Sequence, residues 1–233
     1  HTKGIMVSMR QIKAVIHDID GNLTLTEEAC WHLENEVYAL LGLPPIERTV
    51  HRKTWGMKLD DALPIRSNNR VDKQKFWELF SPKYDEFVKT GRLDTIAKEN
   101  IATLKQLHEM GLINMLLTSR RAVEMSHYLN PEHLLHTYVD AIYYFDNMKF
   151  HKPDPRAFAH IESEHGLKPE ECVYVGDQPG DAAAAKGAGL HFVANLEEGI
   201  RTREDFADYP VDAFVQSFTE IPAAILGLIN HED

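Results

Sequence analysis

Short apolar runs recur along the chain at Ala14 to Ile16, Ile113 to Leu117, Ala141 to Phe145, Cys172 to Val175, His191 to Ala194 and Ala213 to Val215. Each is too short for a helix and stops at polar or glycine positions, which predicts six buried strands. Between most of them the apolar residues change to helical spacing. Ile101, Leu104 and Leu107 mark one helix face, and Ala157, Phe158 and Ile161 another. Strands alternating with helices imply an α/β fold with a parallel, doubly wound sheet.

The alternation breaks once, between the first and second runs, where about 70 residues (25–94) intervene. That is too many for a simple crossover. The stretch has its own helical pattern: Leu33, Val37, Leu40 and Leu41 stop at Gly42 and Pro44, while Phe76, Leu79, Phe80, Tyr84 and Phe87 precede Gly91. An all-helical insert is expected at 25–94, tethered by Thr24 to Glu27 and Lys89 to Asp94, with Asn68-Asn69-Arg70 as a loop between helices. The core would comprise 10–24 and 95–233. Because the tethers join the core beside Asp20, the insert can lie over that edge as a lid. The Ala182 to Ala185 run reads as a helix interior, and no internal repeat is found.

Composition narrows the partners. In 233 residues, 43% hydrophobic, 25 basic residues face 36 acidic ones, a formal net charge of −11. Such a surface repels polyanions, so no nucleic acid is expected. No apolar run approaches a membrane span and no signal peptide opens the chain, so a cytoplasmic protein without membrane contact is expected. Cys30 and Cys172 read as reduced packing residues. His1 to about Met9 has no periodicity and is expected to include an expression remnant. Asn22-Leu23-Thr24 matches a glycosylation sequon by chance. The oligomeric state, monomer or dimer, is left open.

The chemistry gathers where the strand runs end. Ala14-Val15-Ile16-His17 runs into Asp18-Ile19-Asp20-Gly21. Alternation leans both carboxylates to one side, and the glycine lets the chain turn away. The competing reading is a solvated turn. A calcium loop would need glycine and glutamate where Leu23 and Ala29 stand. Leu116-Leu117 ends in Thr118-Ser119, hydroxyls at an expected helix start and suited either to an anion or to simple capping. Lys152, held between His151 and Pro153-Asp154-Pro155, is a restrained ammonium or an exposed loop residue. Val173-Tyr174-Val175-Gly176-Asp177 repeats the opening pattern, and Asp181 either adds a carboxylate or caps the next helix. Such hard oxygen ligands suit magnesium.

With these four segments in this order, the chain resembles the haloacid dehalogenase superfamily. Asp18-Ile19-Asp20-Gly21 looks like its first motif, Leu117-Thr118 its second, Lys152-Pro153 its third and Gly176-Asp177 to Asp181 its fourth, and the match covers almost everything outside the insert. The resemblance implies a Rossmann-like core and a helical cap as in the phosphoglycolate phosphatase and β-phosphoglucomutase branch. It implies Asp18 as nucleophile and Asp20 as general acid and base. Thr118, Ser119 and Lys152 would hold the phosphoryl group. Mg2+ would be held by Asp18, Asp177 and the backbone carbonyl of Asp20, with Asp181 orienting its waters. Arg52-Lys53-Thr54-Trp55-Gly56-Met57 resembles the substrate-specificity loop, so Arg52, Trp55 and Gly56, with Asn22, are candidate substrate contacts; plain packing is the other reading of Trp55. Asn22 stands where threonine is usual, and Leu25 where aspartate is common.

The function implied is a magnesium-dependent phosphatase acting on a small phosphorylated metabolite through an aspartyl-phosphate. The dehalogenase and phosphonatase branches lack an acid at the position of Asp20. A sugar phosphomutase of the same family is the alternative within enzymes. A phospho-accepting regulatory switch, or a non-catalytic binding relative, is the alternative outside them. His133 and His136 could bind zinc on a helix but lack a third ligand and read as a solvated face. His17 should point away from Asp18 and serve structure.

Overall fold

The computed structural model describes residues 12–230; His1 to Met9, and the start of the core at residue 10, lie outside the described residues. Six strands form: β1 Ala14–His17, β2 Ile113–Leu117, β3 Ala141–Tyr143, β4 Cys172–Gly176, β5 His191–Asn195 and β6 Ala213–Val215. All pairings are parallel, in the order β3-β2-β1-β4-β5-β6. In a parallel sheet every strand ends at the same edge. The strand order reverses between β1 and β4, where the crevice for a ligand opens.

Period-two alternation assigns the two faces. Val15, Leu116 and Val175 pack with Leu104 and Leu107 of α5 (Lys98–Glu109) and Ile221 and Ile225 of the last helix (Ile221–Asn230). Ala14, Ile16, Met115 and Tyr174 face the other way, onto Ile161 and the Ala182 to Ala185 run. Burial on both faces is why these strands read as continuous apolar runs.

The insert is four helices: α1 Thr26–Leu40, α2 Arg48–Lys53, α3 Leu59–Arg66 and α4 Lys73–Thr90. It has apolar clusters of its own, Val37, Tyr38, Ile46, Leu63 and Phe76 in one and Leu33, Phe87 and Leu93 in another. Asp72 caps α4 by accepting the Lys75 amide at 3.2 Å. Gly91 ends it at φ 68°, and Arg92 N bonds back to Phe87 O. Asn68 and Asn69 form the α3–α4 loop. Leu40, expected on the buried face of α1, is 61% exposed.

Two further expectations need correction. The third strand stops at Tyr143 rather than Phe145, because Asn147 accepts the Tyr144 amide and donates to Ile142 O, folding Phe145–Asn147 into a 3-10 turn. No regular helix follows Ser119: the Arg120 carbonyl accepts the Phe145 amide at 2.8 Å, which keeps the chain extended, and a series of turns replaces the helix. Elsewhere α6 (Ala159–His165) follows a 3-10 turn capped by Asp154, and α7 is Pro179–Gly187. Among the described residues no helix is long and apolar enough to cross a membrane.

Candidate active site

Asp18 leaves β1 with its amide still bonded to Val175 O at 2.9 Å, so the strand ladder holds it at the sheet edge. The chain then reverses through Ile19 to Thr24. Gly21 takes φ 71°, and a Cβ there would lie 2.4 Å from Asp177 Oδ2, so a side chain at this position would have to displace that carboxylate. Across the sheet edge, Lys152 Nζ lies 3.0 Å from Asp18 Oδ2 and 2.7 Å from Asp181 Oδ1, and donates to Tyr174 OH at 2.7 Å. Asp181, in the first turn of α7, accepts the amides of Asp177 and Gln178. It therefore caps its helix and also joins the cluster.

These groups border a cavity of about 320 Å³ whose lining includes Asp18, Asp20, Trp55, Thr118, Ser119, Lys152, Asp177, Asp181 and Glu198. One carboxylate oxygen from each of Asp18, Asp177 and Asp181 lies within 4.8 Å of the others. Burial pushes Asp18 up to about 7, with the charges of Asp181 and Asp20 adding to the effect and Lys152 opposing it. Asp177 is raised well above the carboxylate range, first by burial and then by its acidic neighbours. Lys152 is held charged: burial works against the ammonium, but Asp18 and Asp181 outweigh it. Burial, with one ammonium that does not compensate three carboxylates at this spacing, is why Asp18 and Asp177 are raised. Hard oxygens so placed fit a divalent cation such as Mg2+ that would favour their ionised forms.

Asp20 lines the same cavity but is turned toward Arg120 and the Thr26 hydroxyl, 2.6 Å away. Burial would raise it; the Arg120 charge and hydrogen bonds prevail and hold it below the usual carboxylate range. Its carboxylate is thus apart from the three-carboxylate cluster. Thr118 is buried, its amide bonded to Tyr143 O and its hydroxyl accepting from Arg120 N.

Of the four candidate substrate contacts only Trp55 lines the cavity. Asn22 is corrected to a structural role. It is fully buried, donating to Asp18 O and Val175 O and accepting from Asn195, so its amide ties three strands together. Arg52 points to Glu27, 3.7 Å from its Oε2, and Gly56 lies outside the lining. His17 is buried beside Asn114 and Phe218, and burial lowers its pKa to about 4. His133 and His136 do not share a helix face: His133 caps a 3-10 turn and His136 bonds Tyr128 O. Cys30 and Cys172 are free thiols.

Arg120, Asp94, Thr26, Tyr174 and Glu198 were not singled out from the sequence. Arg120 directly follows the hydroxyl pair and Tyr174 lies inside a recognised strand, so adjacency was a usable signal for both. Glu198, buried after β5 and pushed by burial up to about 7, had none.

The chain matches the family model described as haloacid dehalogenase-like hydrolase over residues 15–195. It is 30% identical over 189 residues to the phosphoglycolate phosphatase of Salmonella typhimurium, covering 80% of this chain and 71% of that protein. To the phosphoglycolate phosphatase of Vibrio cholerae it is 27% identical over 190 residues, covering 78% and 84%. Among solved structures, a HAD-superfamily hydrolase of subfamily IA from Geobacter sulfurreducens superposes with a TM-score of 0.69 at 21% identity, covering 92% of this chain and 96% of that one. The Thermotoga maritima structure that carries the name beta-phosphoglucomutase gives 0.69 at 21%, covering 95% and 100%. At these identities the structures share the fold.

Proposed function

Because the chain belongs to the haloacid dehalogenase-like hydrolase family, we propose that it is a magnesium-dependent phosphatase that hydrolyses a small phosphate monoester through an aspartyl-phosphate on Asp18. The observation that carries this reading is the meeting of Asp18, Lys152, Asp177 and Asp181 in one cavity with Thr118 and Ser119.

An Asp18 carboxylate oxygen attacks phosphorus, the bond from phosphorus to the ester oxygen breaks, and the alkoxide takes a proton from Asp20. Water then attacks the phosphorus of the aspartyl-phosphate and gives its proton to Asp20, releasing phosphate and restoring Asp18. The Arg120 pair keeps Asp20 ionised, the form that accepts a proton from water. Donation to the alkoxide requires that pair to open. Lys152 and Thr118, both fixed by buried contacts, stabilise charge on the transferring oxygens without reorganising. Asp18, Asp177 and the backbone carbonyl of Asp20 would hold Mg2+, with Asp181 orienting its waters. When bound, the ion reduces repulsion between the anionic nucleophile and an anionic substrate. The helical insert serves as a lid, presenting Trp55 to the leaving group.

A panel of phosphorylated metabolites with Mg2+, read by phosphate release, tests the reading. Turnover is expected in the wild type and its loss in Asp18→Asn; an Asp18→Asn variant with intact turnover rules out the nucleophile. Isomerised sugar phosphate with little free phosphate would instead mark a phosphomutase.

A further inference from the structure

Glu198 stands where the carboxylate cluster meets the helical insert. It follows β5 in the loop where a Cβ on the next residue, Gly199, would come within 3.9 Å of Arg52 of α2, and the residue is 6% exposed. Its Oε1 accepts the Glu27 amide in the first turn of α1 at 2.8 Å. Among the described residues no protein donor meets its Oε2, which stays open to the cavity, and Glu198 forms no ion pair. A Cβ at Gly21 would lie 3.0 Å from this Oε2 and 2.4 Å from Asp177 Oδ2, so both oxygens border one narrow gap beside the cavity. A carboxylate oxygen at the wall of a narrow acidic cavity is stabilised by a donor or cation that enters the cavity. The α1 amide satisfies one oxygen and leaves the other facing the cluster.

We propose that Glu198 is a positioning residue of the cation centre. Its Oε2 receives a hydrogen bond from a water on the divalent cation, while its Oε1 keeps the α1 amide, so that cation occupancy and the seating of the insert's first helix are linked. The inference rests on the cation reading above. Mg2+ retains several waters in protein sites, and carboxylates that orient the surroundings of a metal ordinarily contribute to affinity. One side chain then joins two parts of the molecule that the sequence separates by 171 positions.

Isothermal titration of the full chain with Mg2+ tests this in the wild type, Glu198→Gln, Glu197→Gln and Asp177→Asn. Glutamine keeps an acceptor for the Glu27 amide and removes only the charge, so a purely structural helix cap would leave affinity unmoved. The expected result is an affinity about tenfold to a hundredfold weaker in Glu198→Gln, a loss typical of partners around a metal site, with Glu197→Gln unchanged. Hydrogen exchange should also show Mg2+ protecting the amides of Glu27 to Cys30 in the wild type, a measurement that needs no variant. Wild-type affinity in Glu198→Gln, or α1 amides indifferent to Mg2+, overturns the proposal. A wild type that binds no Mg2+, or an Asp177→Asn variant that binds it fully, removes the cation reading and this inference together.

Discussion

Arg120 grips both carboxylate oxygens of Asp20, with Nε 3.0 Å from Oδ2 and Nη2 2.7 Å from Oδ1, while its Nη1 pairs with Asp94 at the far tether of the insert. Thr26, in the first turn of α1, bonds the same Asp20 carboxylate. Asp20 is therefore held from both ends of the segment inserted beside it.

Removing that guanidinium strands a buried charge. The Asp94 side chain is 1% exposed, and burial raises its pKa even beside Arg120. Arg120→Met is expected to destabilise the protein by about 3 to 5 kcal/mol, the usual loss when one partner of a buried pair is removed. Arg120→Met/Asp94→Asn should recover part of the loss in urea unfolding. A double variant no more stable than the single one would place the defect elsewhere.

His51 links stability to pH. Its buried ring is disfavoured as a cation by desolvation, but Glu27 at 2.5 Å and Glu34 at 3.3 Å prevail and raise its pKa. A raised histidine stabilises fully below its unfolded value of about 6.5, and that stabilisation is lost as pH rises through the folded value. The wild-type melting temperature should fall as pH rises from about 6.5 through the raised folded value. His51→Gln should start lower and lack that part of the decline; parallel profiles would exclude the linkage.

Cation uptake should release protons. Asp18 is raised to about 7, chiefly by burial, and Asp177 is raised as well. Ligand carboxylates must be ionised, so apparent Mg2+ affinity is expected to strengthen as pH rises through about 7 and to level only once Asp177 is ionised too. Titrations in two buffers of different ionisation enthalpy check it, since identical apparent heats would mean no proton is displaced.

Gly21→Ala combines two penalties. The position has φ 71°, which costs an L-residue roughly 1–2 kcal/mol, and the new methyl meets Asp177 Oδ2 at 2.4 Å. The variant should unfold at lower urea and bind Mg2+ more weakly than the wild type. Stability lost with affinity kept would show that Asp177 has room to shift.

The strands and the residues at their ends were legible because both signals are local. A run buried on both faces is apolar throughout, and carboxylates and hydroxyls at the ends of parallel strands must share an edge. The insert was legible as a break in that alternation. Side-chain destinations were less so. Asn22, in the loop after β1, turned inward to tie strands together, and Ser119 opened turns rather than a helix once the Arg120 carbonyl paired with Phe145.

From the chain alone came the α/β alternation, the helical insert and the strand-end positions of Asp18, Thr118 and Asp177, because spacing and polarity act over a few residues. Only the tertiary structure set Asp20 against Arg120, 100 positions away, and Glu198 against Glu27, 171 away. Those pairs depend on which loops the packed sheet brings together, and the charge state of a buried group depends on every neighbour that packing supplies.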